Sequence, residues 1–244
     1  MYDYMNNLLV ADGFLNAFKD AFILNFINEN RYMFILKGLL VTVEITFFAT
    51  LVGVIIGFVV ALAKLSNFKI GNIRVLNILA STYINVVRGT PAVVQLLIIY
   101  YIIFGSVDIS KIVVAILAFG INSGAYVAEI IRAGILAVDR GQMEAGRSLG
   151  LSYGATMRYI ILPQAIKNIL PALGNEFIVL LKETAIAGYI AIEDLTKGGD
   201  IIRSRTFDPY MPLLTVAVMY LILTTVLSKF MDRLERRMRQ GDSH

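Results

Sequence analysis

Gly141-Gln-Met-Glu-Ala-Gly-Arg-Ser-Leu-Gly150, followed by Leu151 to Tyr159 and by Ile160-Ile-Leu-Pro163, is a polar, glycine-punctuated break in an otherwise apolar chain. Asp139 and Gln142 have the spacing of a capping box, so a short helix is expected from Arg140 to about Leu149, with Gly150 as its left-handed C-terminal cap. Ser152 suits the N-cap of a second helix, which Pro163 is expected to interrupt or limit. The product is a small helical hairpin on a membrane face. A short amphipathic helix of this kind suits a groove on a partner, and a merely folded loop is the bland alternative on geometry alone.

The runs on either side set the class. Of the 244 residues, 57% are apolar and 16% charged, against about 25% charged in a soluble domain, so an all-α integral membrane protein is expected. Gly38 to Ala63 is apolar apart from Glu44 and exceeds the ~20 residues a span needs. Further spans are expected from Arg88 to Phe104, from Ile112 to about Val138, from Ile166 to Leu181 with a weaker run at Ala185 to Ile192, and from Met211 to Phe230. Asn72 to Val87 is only half apolar and reads as a surface helix or an extension of the second span. Lys64, Lys69, Arg74 and Arg88 follow the first span without an acidic residue between them. Arg132, Arg140, Arg147, Arg158 and Lys167 surround the polar break, and Lys229, Arg233, Arg236, Arg237 and Arg239 follow the last run. By the positive-inside rule all three groups are cytoplasmic, which gives about five transmembrane helices with the N-terminus outside and the hairpin between helices 3 and 4 in the cytoplasm. Between Lys182 and Asp208 the charges balance, as expected of an outside loop.

Residues 1–33 form an extracytoplasmic or interfacial segment in this reading. Phe14, Phe18, Phe22 and Phe26 recur at i+4 there, as in a helix lying in the membrane interface or one packed on the bundle. Residues 34–230 are the transmembrane domain with its loop at 139–163, and 231–244 are a basic cytoplasmic tail. No cleavable signal is read at the N-terminus, which lacks a basic n-region.

Much enzyme chemistry is excluded. The chain has no cysteine, and its one histidine, His244, is the last residue, so thiolate metal sites, cysteine nucleophiles and a histidine base are not expected. No catalytic residue or metal ligand is assigned. No G-x-x-x-x-G-K-[ST] phosphate loop occurs, so ATP hydrolysis by that chemistry would need another polypeptide. The net charge of +4 reports topology rather than nucleic acid.

Glu144-Ala145, then Gly150, then Ile160 and Leu162-Pro163 resemble the EAA loop of ATP-binding-cassette importer permeases, with Gly146 standing where that family usually has a second alanine. Arg88-Gly-Thr-Pro91 with Gln95, Asn122-Ser-Gly-Ala-Tyr126 with Glu129, and Gly174-Asn-Glu-Phe-Ile178 with Leu180-Leu-Lys-Glu-Thr184 look like the polar amino acid branch of the family. The resemblance covers roughly residues 35–240. It implies a prokaryotic inner-membrane protein, a second permease subunit, identical or homologous, and a dimer of cytoplasmic ATPases that carry the ATP and magnesium. It also implies an extracytoplasmic amino acid-binding protein. No cofactor is expected in this chain. The coupling residues are then Glu144, Ala145, Gly146, Ser148, Leu149 and Gly150.

Carboxylates inside a span need a partner or water, so Glu129 and Glu176 should face a polar cavity. Asn122, Tyr126 and Glu129 share one face of a helix, with Ser123 adjoining. A zwitterion needs acceptors for its ammonium, from Glu129 or Glu176, and donors for its carboxylate, from Asn122, Ser123, Gln95 and backbone near Gly124. With Tyr126 these are the candidate substrate residues. Two acidic groups favour a basic amino acid such as arginine, lysine or histidine, with glutamine next. Ion pairs of Glu129 with Arg132 and of Glu176 with Lys182 are the competing structural roles. An ion-coupled secondary transporter is the alternative class, against which five spans without a repeat count.

Overall fold

The computed structural model describes residues 15–66, 68–69 and 73–239. Phe14, Asn72 and His244 lie outside them, as do residues 240–244 of the basic tail.

The described chain is helical. Helix α1 (residues 15–22) passes through a π turn, Ile23–Ile27, towards α2 (Tyr32–Leu65). Helix α3 (Val75–Arg88) precedes α4 (Ala92–Ile98), which ends in a second π turn, Ile99–Ile103. Helix α5 (Lys111–Leu136) leads into the hairpin of α6 (Arg140–Ser148) and α7 (Tyr153–Thr156). A third π turn, Met157–Ile161, joins α7 to α8 (Leu162–Glu183), and a 3-10 stretch, Thr184–Ile190, leads to α9 (Leu195–Thr206) and α10 (Tyr210–Arg239).

Helices α2, α5 and α10 are long and apolar enough to cross a membrane, and α3 with α4 pass the same test together, bent by 105° as a broken span or re-entrant loop. The bend falls at Gly89-Thr90-Pro91, where proline blocks continuation of α3 yet suits the start of α4. The half-apolar stretch ahead of the second run is therefore a separate helix, α3, set off from α4 by a corner rather than continuing straight into it. Helix α8 has 22 residues, a length of about 33 Å. Lys167, Asn168, Asn175, Glu176, Lys182 and Glu183 keep it from being a uniformly apolar span, so the five-span expectation turns on whether α8 crosses.

The core is the α2–α5 pair, which meets through small residues on both helices. A Cβ on Gly57 would fall 2.5 Å from Val127, one on Gly120 2.5 Å from Val52, and one on Gly124 2.8 Å from Ile56. Gly53-x-x-x-Gly57 and Gly120-x-x-x-Gly124 thus face each other and let two backbones approach closely, the usual device of membrane helices. Ile45, Ala49, Val114, Ala115, Ala118 and Phe119 continue the seam as a buried cluster.

At the other end of α2 the expected outside loop contains a folded helix. Asp194 caps α9, accepting from the N–H groups of Thr196 at 2.9 Å and Lys197 at 3.3 Å. The Leu195 N–H donates to the Thr42 hydroxyl at 3.1 Å, and a Cβ on Gly38 would meet the Asp194 carbonyl at 2.6 Å. Burial pushes the Asp194 carboxyl up to about 6. Lys197 and Arg203 hold the Asp200 carboxyl below its ordinary range.

Of the aromatic stripe, Phe18 and Phe22 are exposed, whereas Phe26 is buried against Ile35, Leu195, Ile202 and Val216. The π turn brings Asn25 inward as well, where it donates to Asp208 at 2.6 Å and accepts from Thr206 at 2.8 Å.

Candidate functional site

The hairpin is built by local signals. Asp139 Oδ1 accepts from the Gly141 N–H at 2.6 Å and caps α6. Gln142 does not close the other half of a capping box; its Oε1 accepts from Gln164 of α8 at 3.5 Å. Helix α6 ends in a Schellman arrangement: the Leu151 N–H donates to the Gly146 carbonyl at 3.1 Å and the Gly150 N–H to the Arg147 carbonyl at 3.1 Å. Gly150 has φ +86°, a conformation that glycine adopts without strain. Ser152 then caps α7, accepting from Ala155 at 3.2 Å. Pro163 does not break the chain's helical path but enters at the start of α8, directly after the π turn. Its ring conflicts with the carbonyl four residues back, and a widened turn relieves that conflict.

Two helices this short stay together because Gly146 is buried. A Cβ there would meet Thr156 Cγ2 at 2.5 Å and Ile160 Cδ1 at 3.1 Å. The glycine in place of alanine therefore brings α6 closer to α7. Glu144, Ala145, Ser148, Leu149 and Gly150 lie on the exposed side, with Leu149 81% exposed.

The intramembrane candidates form a seam between α4, α5 and α8. Asn122 and Ser123 are buried on α5. Asn122 Nδ2 donates to Gln95 Oε1 at 2.9 Å, while Gln95 Nε2 donates to the Val87 carbonyl at 2.7 Å and the Thr90 hydroxyl at 2.7 Å. Gln95 thus ties the α3–α4 corner to α5. Ser123 Oγ donates to Glu176 Oε1 at 2.8 Å, which joins α5 to α8. One turn along α5, Tyr126 carries the guanidinium of Arg88 over its ring at 5.2 Å.

Glu129 stands apart from this seam. Its Oε1 accepts from the Arg132 guanidinium and its Oε2 from Lys64 Nζ at 3.3 Å. In the sequence Lys64 counts only towards the cytoplasmic charge after the first span; as the one cation in the last turn of α2 it brings that helix to α5. Glu176 bonds to Ser123 rather than to Lys182. Arg88 and Thr156 are the other participants the sequence did not mark as partners.

The chain matches the family described as binding-protein-dependent transport system inner membrane component over residues 53–240. It is 39% identical to the arginine transport system permease protein ArtQ of Bacillus subtilis, over 86% of this chain and 94% of that one. It is 38% identical to the glutamine transport system permease protein GlnP of Escherichia coli, over 84% of this chain and 93% of that one. A crystal structure of an amino acid ABC transporter with histidines superposes with a TM-score of 0.79 at 48% identity, covering 87% of this chain and 98% of that one. With the seam, the hairpin and this extent of similarity in hand, the chain belongs to the binding-protein-dependent transport system inner membrane components, the permease subunits of ATP-binding-cassette importers.

Proposed function

We propose that this chain is the permease subunit through which an ATP-driven importer moves a polar amino acid across the prokaryotic inner membrane, and that the side chain it carries best is basic. It is a transport subunit and not an enzyme. It works with ATPase and permease partners; the ATP and magnesium sit on the ATPases, and an extracytoplasmic binding protein delivers the solute. The ion-coupled alternative gives way to membership of this family. Helix α8 supplies the fifth crossing, with residues 34–230 as the transmembrane domain and the 139–163 hairpin as the ATPase contact.

The observation that carries the substrate reading is the polar seam. Asn122, Ser123, Gln95 and Glu176 are brought together from three elements at hydrogen-bond distance, in a chain that is otherwise apolar. The second amide proton of Asn122 and the guanidinium of Arg88 suit a carboxylate, Ser123 orients Glu176, and Glu176 suits an ammonium or a cationic side chain. Both oxygens of Glu129 already accept from cations, which favours a bracing role for it and leaves Glu176 as the acceptor that meets solute. Relatives named for arginine and glutamine and a related transporter structure with histidines are compatible with this. A glutamine reading has the same seam and one cation fewer to satisfy.

Reconstituted importer in liposomes tests it. Glu176→Gln should lower uptake of arginine, lysine and histidine more than that of glutamine. Equal loss for all four, or unchanged uptake of the cationic ones, would refute the role given to Glu176.

A further inference from the structure

The cytoplasmic end of α10 carries more order than a topogenic signal requires. Phe230, Arg233, Leu234 and Arg237 fall at i, i+3, i+4 and i+7, so they share one helical stripe, and Arg236 adjoins it. These five residues line an open pocket of about 470 Å³. Glu235 lies on the opposite side of the helix, while Asp232 lies one turn before Arg236, at the edge of the basic stripe. Met231, which packs against Gly174 of α8, borders the stripe on the side of Leu234. Arg233, Arg236 and Arg237 are exposed, and α10 is the least buried of the candidate spans, with 11% of its apolar window covered.

The geometry points to a binding site for an anionic phospholipid on this stripe, with the headgroup phosphate held by Arg233, Arg236 and Arg237 and an acyl chain lying along Phe230 and Leu234. A basic segment outside a span needs only its charge to fix topology, and that charge works on any face. Three guanidinium groups gathered beside an aromatic and an aliphatic side chain, at the end of a helix whose apolar surface this chain leaves mostly uncovered, match the two chemistries of a phospholipid in the order a leaflet presents them. Each such cation near an anionic surface contributes appreciably, and guanidinium holds phosphate in a bidentate fork that ammonium cannot make. The occupant is lipid rather than free phosphate, because Phe230 and Leu234 have no use for an inorganic ion.

The test uses the importer assembled with its ATPase partner, purified in detergent and titrated with phosphatidylglycerol, phosphatidylcholine or inorganic phosphate under native mass spectrometry. Phosphatidylglycerol should bind in preference to phosphatidylcholine. Arg233→Gln with Arg236→Gln and Arg237→Gln should weaken it on the order of a hundredfold. Because losing three cations can disturb insertion, the matching triple replacement by lysine keeps the topogenic charge. It should insert normally and bind the lipid at an intermediate level. Phe230→Ser should weaken phosphatidylglycerol while leaving phosphate unchanged. The proposal is overturned if the glutamine variant binds phosphatidylglycerol as the wild type does, or if phosphate competes as well as the lipid. It is also overturned if the ATPase partner covers the stripe, so that lipid binds only when that partner is removed.

Discussion

Gly146→Ala probes what holds the hairpin together. The added Cβ would lie 2.5 Å from Thr156 Cγ2, 2.9 Å from its Oγ1 and 3.1 Å from Ile160 Cδ1, where carbon contacts settle at about 3.5–4.0 Å. About 1 Å of separation between α6 and α7 is therefore needed. Thr156 cannot yield, being fully buried with its hydroxyl bonded to the Ser152 carbonyl at 3.0 Å. Overpacking of this kind costs about 1–3 kcal/mol, and alanine returns about 1 kcal/mol of helix propensity. The net expectation is a loss of about 0–2 kcal/mol in hairpin stability, with the exposed face of Glu144 and Leu149 displaced. Thermal melting of the purified subunit and solute-stimulated ATP hydrolysis by the assembled importer are the two readouts, and both should fall. Adding Thr156→Ala removes the two nearest obstructing atoms, so the double variant should recover coupling beyond the sum of the singles. Gly154→Ala is the control, since nothing lies within 4 Å of a Cβ at that position. If Gly146→Ala melts and couples like Gly154→Ala, close packing of the hairpin is not what positions the coupling face.

Three further outcomes follow from named contacts. Glu144→Lys reverses an exposed charge on α6 without touching its packing, so the subunit should insert and melt normally yet lose ATPase association in pull-down or lose solute-stimulated hydrolysis; normal coupling would remove Glu144 from the contact. Lys64→Met and Glu129→Gln share one ion pair at 3.3 Å, so a melting cycle should show non-additivity of about 0.5–3 kcal/mol, and simple addition would dissolve the brace. Asp194 has a carboxyl raised to about 6, so its contribution is fullest below its unfolded value of 3.8 and is lost as pH rises through about 6. Asn retains the cap, so the melting difference between wild type and Asp194→Asn should shift against the wild type on going from pH about 5 to about 7.5, by no more than on the order of 3 kcal/mol. A difference independent of pH would contradict the buried-acid account.

The hairpin was legible because its signals are local. Asp139, Gly150 and Ser152 each act on a backbone group within three residues, and each does in the structure what its position suggests. Gly146 was not legible by the same route. Read locally, a glycine in a helix is a loss of propensity; its use here depends on Thr156 arriving from the next helix. Gly53, Gly57, Gly120 and Gly124 stood in the sequence at the spacing of close-packing motifs, but spacing does not say which helix meets which. Without that register Lys64 had no reason to be matched with Glu129. Helix α9 was hidden by its composition. Balanced charges suggested a loop, whereas Asp194 starts a helix there, and Gly198 lets it sit so close to α2 that an added Cβ would fall 2.5 Å from the Phe34 carbonyl oxygen.

The brace and the seam together constrain how the hairpin can act on a solute. Helix α5 carries the Asn122–Tyr126 face, then Glu129 and Arg132, then the entry to α6, so in the proposed coupling a push on the hairpin would reach the proposed solute face through the brace. The brace fastens α2 to α5 at the same end where Gly57 and Val127 are already in close contact. In the proposed coupling those two helices would therefore move as one body, with little of a push absorbed between them. Breaks in helical geometry lie elsewhere, among them the 3-10 stretch Thr184–Ile190, the Gly89–Pro91 corner and the π turns Ile99–Ile103 and Met157–Ile161. The last of these connects the hairpin to α8, which carries Glu176. Relative motion then falls between α8 and the α2–α5 pair, and the Ser123–Glu176 bond at 2.8 Å spans that boundary. If Lys64 and Glu129 proved independent in the melting cycle, α2 would be free to lag behind α5 and this assignment of the moving boundary would fail with the brace.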